Sequence, residues 1–311
     1  MTMVLYLVMC AGAAVFLLAC ATRIVMYARA PLHLRWELYP VPHEVPARAK
    51  HGGSRFEQVD WWTQPVRRGL LGEWKFMVAE VLLLKGLYEF NRRLWYRSFP
   101  FHFGLYLLTG TAGLLMAGAL VSMLVPSAFP ATLAQALFRI GGVTGAAGLL
   151  LALLGAAGLL VRRLTDPGLR MCTTRGDIGN LIFFLAALGV LSAGFLLKPA
   201  ASPDAPAIVV GLLTWNTTLN IPGLLAAGMF LASMLVAYIP LTHMSHFIAK
   251  YFTYHAVRWD DAPNWRGGKL ERRLAEYLTY RPTWAAAHVG ADGRRTWAQI
   301  ATDNAAPEGK K

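Results

Sequence analysis

The chain has 311 residues, of which 56% are hydrophobic and 15% charged, with a mean hydropathy of +0.42; an ordinary soluble domain carries about 25% charged residues, so that class is excluded. A net charge of +13 raises the question of nucleic acid, but the basic residues fall between long apolar runs, which is a topology signal and argues against a polyanion-binding face. Three scattered cysteines, Cys10, Cys20 and Cys172, form no CxxC pair and offer neither a disulfide framework nor a thiolate metal site.

A bilayer core of about 30 Å takes about 20 helical residues to cross. Five stretches reach or approach that length: 3–26, 101–125, 133–161, 178–197 and 221–247. They predict an all-α integral membrane protein, a bundle of five transmembrane helices with a large cytoplasmic segment between helices 1 and 2. The expected division is a first helix over 1–26, a cytoplasmic insertion with an interfacial helix over 27–99, a four-helix membrane core over 100–248 and a cytoplasmic tail over 249–311. The first stretch is longer than the apolar core of a signal peptide, about 7–15 residues, and nothing basic precedes it, so it reads as a retained helix.

Lysine and arginine concentrate in 27–99, 162–177 and 249–311, whereas 126–133 is uncharged and 198–220 holds only Lys198 and Asp204. The positive-inside rule then places the N-terminus outside and the C-terminus in the cytoplasm. The segment PLHLRWELYPVPHEVPARAKHGGSRFEQVDWWTQPVRRG is too long for a mere connector and is expected to be ordered. After it, residues 70–97 have apolar side chains at helical spacing with Glu73, Lys75, Glu80, Lys85 and Glu89 interspersed. That pattern predicts a helix at the membrane interface or beneath a partner subunit. In the third stretch GGVTGAAG at 141–148 and GAAG at 155–158 read as close helix packing by small residues; no strand precedes them, as a nucleotide loop requires.

Ionisable side chains inside membrane helices are functional candidates, which directs attention to histidine. Of eight, His33, His43, His51, His255 and His288 fall in loop or tail and read as solvated surface residues. His102 begins the second stretch as it leaves the cytoplasm, while His243 and His246 end the fifth as it returns, so all three are expected at one depth. On a continuous helix His243 and His246 would lie about 60° and 4.5 Å apart. A histidine on each of two facing helices suits the two axial imidazoles of a b-type haem. The plain alternative is interfacial histidines favoured by helix ends.

Several motifs carry a family resemblance. FHFG at 101–104, VRRLTDPGLRMCTTRGD at 161–177 and IPLTHMSH at 239–246 resemble the gamma subunit of respiratory nitrate reductase, a five-helix membrane cytochrome b. HLRWELYPVPHE at 33–44 and FEQVDWWT at 56–63 are similar instead to the cytochrome b subunits of sulfate-reducer-type complexes, such as the membrane partners of tetrahaem cytochromes c and of the sulfite-reduction-associated complex. The resemblance leaves the chain beyond Val257 unexplained. It implies a cytoplasmic-side haem b held by His102 and His246, with His243 beside it, either as a hydrogen-bond donor to a propionate or quinone or as the ligand in place of His246. Arg162 and Arg163 match the family's paired arginines, implied to neutralise propionates, with plain membrane anchoring as the alternative.

The same resemblance marks a departure. The family's second, outer haem uses histidines at positions that are here Ala112 and Gly228, so one haem is expected. Met116, Met123, Met229 and Met234 lie on the same two helices and read as apolar filler. The implied function is electron transfer in the bacterial cytoplasmic membrane between menaquinone-type quinones and iron–sulfur or multihaem cytochrome c subunits. The iron–sulfur partner is expected on the cytoplasmic side, and no nucleic acid is involved. A haem-free membrane anchor for soluble redox partners is the alternative.

Overall fold

The computed structural model describes residues 1–30, 41–44, 54–65, 69–124, 128–284 and 289–302. Every regular element among the described residues is helical. The chain divides into two units, one of residues 1–29 and 69–251, the other of residues 30–68 and 252–311. Residues 69–99, grouped with the 27–99 insertion on sequence grounds, thus belong to the unit that holds the long helices.

Five helices of the first unit are long and apolar enough to cross a membrane: α1 (Thr2–Ala28), α4 (Arg92–Leu124), α5 (Ala128–Thr165), α7 (Arg175–Leu196) and α9 (Gly223–Tyr238). Between them lie α2 (Leu70–Leu82), α3 (Lys85–Phe90), α6 (Pro167–Cys172) and α8 (Ala205–Leu213). The long helices pack in the order α4, α5, α7, α9, α1. Their outward faces are apolar: Leu17, Leu18, Val143, Leu150, Leu154 and Ile182 are all more than half exposed. In water such a surface is unfavourable; against lipid it is the expected one.

Glycine decides how closely these helices approach. A Cβ on Gly155 would stand 2.4 Å from the Phe101 nitrogen, and one on Gly104 would stand 2.4 Å from the Ala152 nitrogen. The backbones of α4 and α5 therefore touch, as the small-residue pattern at 141–158 implied. Over this seam Phe101, Ala152 and Ala156 join Leu181, Phe184, Ala187 and Leu188 of α7 and Leu235 of α9 in one buried cluster. A second cluster, built on Leu5, Tyr6, Ile208, Ile221, Leu225 and Met229, joins α1, α8 and α9.

Three boundaries differ from the sequence reading. The helix expected from residue 101 begins at Arg92 and runs through Pro100, so His102 sits well inside it. The single interfacial helix expected over 70–97 is interrupted at Leu84, whose φ of 52° is left-handed, and again at Asn91. The fifth helix does not continue to Phe247. It ends at Tyr238 and gives way to one-turn 3₁₀ segments at Ile239–Leu241 and His243–Ser245, with Thr242 extended between them, before α10 (His246–Thr253) begins.

The basic connection after α5 is a capped helical turn. Asp166 accepts from the Gly168 and Leu169 amides and starts α6 with Pro167 in its first turn. The Leu169 amide foremost, with the Arg162 guanidinium, holds the Asp166 carboxyl below the usual carboxylate range. Thr174 and Asp177 then form a reciprocal capping box at the start of α7.

In the second unit a π-helical turn at Tyr254–Arg258, α11 (Lys269–Leu278) and α12 (Trp297–Ala301) follow one another. Its interior contains Trp259, 1% exposed, with His43, Arg55 and Asp261. Asp261 lies 3.3 Å from Arg55 and 3.5 Å from His43, so the buried guanidinium and carboxylate are paired. His43, expected to be solvated, is buried edge-on against Trp259, and His255 packs on the same indole. His33, His51 and His288 lie outside the described residues.

The seam between α4 and α5 is open to test by paired substitutions. Gly155→Leu should destabilise the chain by at least about 1–3 kcal/mol through overpacking. Gly142→Leu, where a Cβ meets nothing within 4 Å, should be neutral or stabilising by up to about 1 kcal/mol from helix propensity. Thermal unfolding of the detergent-solubilised variants reads both.

Candidate functional site

His102 follows Pro100 on α4, one turn after Ser98. Its Nδ1 lies 2.8 Å from the Ser98 carbonyl oxygen. A carbonyl can only accept, so Nδ1 carries the proton and the Nε2 lone pair is free. Phe101, whose ring meets both His102 and Phe184 edge-on, fixes this part of α4 against α7.

His246 reaches the same place by a different route. Pro240 and the extended Thr242 end the α-helical ladder and free backbone carbonyls, and Arg23 of α1 donates to two of them, Pro240 and Leu241, each at 3.2 Å. His246 is then the first residue of α10, with Nδ1 3.4 Å from the His243 carbonyl oxygen. The His102 and His246 rings lie 6.1 Å apart, centre to centre, with their planes at 66°. A metal between two opposed imidazoles, about 2 Å from each nitrogen, sets ring centres about 6 Å apart. In both residues Nδ1 bonds a backbone carbonyl, the usual way in which a metal-ligating histidine is held.

His243 is occupied differently. Its Nε2 stands 3.4 Å from the Asp177 carboxylate and 3.5 Å from the Asn180 amide nitrogen, and its side chain is 64% exposed. Tyr238 donates to Asn180 at 2.9 Å. Asp177 also faces Arg163 at 3.6 Å. The break after α9 means that His243 and His246 do not share one face of a continuous helix, contrary to the i, i+3 reading.

The paired arginines diverge, because neighbours on a helix point about 100° apart. Arg163 contacts Thr173 and Asp177. Arg162 pairs with Asp166 at 3.3 Å and lines a cavity of about 260 Å³ with Arg93 and Arg97.

Beside the imidazole pair lies a buried carboxylate that sequence reading assigned only to a surface pattern. Glu80 of α2 is 7% exposed; it accepts from Lys250 at 2.8 Å and from the Gly86 amide at 2.8 Å. Lys250 is one turn beyond His246 on α10. Both α2 and α10 are thereby tied together next to the candidate ligands. Meanwhile Leu70, Leu71, Trp74 and Val78 of α2 point outward, the inverse of a helix that faces water.

The outer positions have another character. A Cβ on Gly228 would stand 2.5 Å from Leu191 Cα, so α7 and α9 touch there, whereas Ala112 is exposed. Met229 is core, while Met116, Met123 and Met234 are exposed. These side chains do not converge. On the His102 face of α4, by contrast, Gly113 has open space around its Cβ position. Among the described residues no group of three or more His, Cys, Asp or Glu is placed to hold a metal ion, so a metal ligated here would have to bring the rest of its coordination, as a porphyrin does.

No protein-family model, curated protein or solved structure matches the chain. The residues that sequence reasoning missed are Arg23, Ser98, Asn180, Glu80 and Lys250. Arg23 carried a signal, as an ionisable residue inside an otherwise apolar span; Ser98 acts one turn before His102 through its backbone carbonyl, which no residue type announces, and Asn180, Glu80 and Lys250 become distinctive only through contacts distant in sequence.

Glu80→Ala leaves the Lys250 ammonium and the Gly86 amide without their carboxylate. It should cost about 1–3 kcal/mol and quicken proteolysis at the α2–α3 and α10 segments. Glu89→Ala, which removes an exposed i, i+4 pair with Lys85, should cost less than about 0.5 kcal/mol.

Proposed function

We propose that the chain is a membrane-spanning haem b subunit that relays electrons between a menaquinone-type quinone and redox partner subunits. One observation carries the reading: two imidazoles from separate helices, their rings 6.1 Å apart, each with Nδ1 at a backbone carbonyl and Nε2 free. Bound between them, haem b would supply a one-electron carrier in a low-dielectric setting.

The chain's own residues supply orientation and charge. The Ser98 carbonyl sets the His102 tautomer, and Arg23 stabilises the backbone break that presents His246. Of the alternatives for the second ligand, the contacts favour His246, because the Nε2 of His243 faces Asp177. His243 and Arg163 meet at that carboxylate next to His246, which suits them to a propionate; Arg162 turns toward a different cavity. Contact between the α7 and α9 backbones at Gly228 favours one haem over two.

The membrane reading rests on the five long helices and their apolar outward faces, and the distribution of basic residues supports a cytoplasmic C-terminus. An iron–sulfur subunit, or a multihaem cytochrome c, would receive or deliver the electron at the candidate site. A stable preparation without haem would favour the anchor reading instead.

A reduced-minus-oxidised spectrum of the purified chain should show b-type bands, with a pyridine haemochrome value near one haem per polypeptide; a value near two overturns the stoichiometry. His102→Ala and His246→Ala should each abolish haem binding, whereas His243→Ala, His33→Ala and His288→Ala should retain it. For orientation, cysteines introduced in 249–311 should resist membrane-impermeant thiol reagents in intact cells and react after lysis.

A further inference from the structure

We propose that the groove between α4 and α5 at the basic end of the bundle binds the phosphate of an anionic phospholipid headgroup. The inference rests on the reading of the chain as membrane-spanning and is independent of haem. Arg93, Arg97, Val161, Arg162, Thr165 and Asp166 line the cavity of about 260 Å³. At about 30 Å³ per water-sized group, it has room for a phosphate and part of its alcohol.

Charge in the groove is unbalanced. Three guanidiniums face one carboxylate, and that carboxylate is already engaged: Asp166 accepts from the Gly168 and Leu169 amides and from Arg162. Arg97 uses one nitrogen on the Arg93 carbonyl, at 2.9 Å, and neither Arg93 nor Arg97 pairs with a carboxylate among the described residues. Thr165 donates to the Val161 carbonyl. The decisive atom is Arg162 Nη1, which is buried and has no hydrogen-bond partner among the described residues. Arginines that serve only as membrane anchors keep their guanidiniums hydrated; a buried N–H with nothing to donate to calls for an acceptor that binds there.

Two features favour a lipid over a free anion. The stem of Arg97 lies over Gly158, where a Cβ would come within 3.3 Å of its Cγ, so the basic groove is built into the packed seam of two long apolar helices. Val161 and Leu164 beside it are 60% and 51% exposed, an apolar rim suited to acyl chains. Basic pockets between membrane helices at the cytoplasmic level are the usual receptors for such headgroups, and the arginine fork matches phosphate oxygens.

Titration of the detergent-solubilised full chain with dioctanoyl phosphatidylglycerol, dioctanoyl phosphatidylcholine and inorganic phosphate tests the site, read by native mass spectrometry. Phosphatidylglycerol should bind saturably, phosphatidylcholine should not, and inorganic phosphate should fail to displace the lipid. Arg162→Gln and Arg93→Gln should each weaken binding about tenfold, equivalent to about 1.4 kcal/mol. Arg139→Gln, an exposed arginine outside the groove, should leave it unchanged. The Arg93 side chain makes no hydrogen bond or ion pair among the described residues, so Arg93→Gln keeps the test sound if loss of the Arg162–Asp166 pair disturbs folding. Equal binding of phosphatidylcholine, unchanged binding by Arg93→Gln, or displacement by inorganic phosphate overturns the proposal. Failure of the membrane reading shows separately, as a chain that leaves the membrane fraction without detergent.

Discussion

The contact between the α4 and α5 backbones at Gly155 and Gly104 is the constraint on which the site depends. Gly155 abuts the backbone of Phe101, the residue before His102. With side chains in the seam the two helices would separate, and the ring of Phe101 would lose its place against Phe184. In lipid there is no hydrophobic drive to hold two apolar helices together, so close approach and dispersion must do so. Small residues thus fix the height and direction of His102 as surely as any hydrogen bond.

A second constraint acts from the other side. A helix that continued through residues 239–245 would carry His246 elsewhere on its surface and leave no reason for Thr242 to be extended. Pro240 weakens the ladder, but an apolar setting penalises every carbonyl it frees. Arg23 meets that penalty with charge-assisted bonds from α1. The first helix, remote in sequence from both histidines, therefore participates in their geometry.

Around the imidazole pair, charge is arranged in separate compartments. Glu80 with Lys250 ties α2 to α10, and Asp177 joins Arg163 to His243. Arg162, with Asp166, Arg93 and Arg97, faces away into its own groove. Each carboxylate is matched to a nearby cation, which keeps the polar end of an apolar bundle soluble in its own interior. The surplus lies in the arginine groove.

Much of this was legible in the residues themselves. Runs of about 20 apolar residues can satisfy their backbone in lipid only as helices, so the five long helices follow from length and hydropathy. The glycine pattern at 141–158 announced close packing because few other residues allow it. The breaks were less visible: Leu84 carries no turn signature, and a proline near a helix end is compatible with either a kink or a stop. His43 read as a loop residue because its partners Trp259 and Asp261 lie up to 218 positions away. Arg162 and Arg163 read as one motif, although a helix turns neighbours to different environments. Sequence by itself determined where the five long helices lie, though not where each ends, and which side chains have metal-binding chemistry, since both depend on local composition. Only the tertiary structure decided which imidazoles meet and which guanidinium nitrogen of Arg162 is buried without a partner among the described residues, because both are set by how separate helices pack.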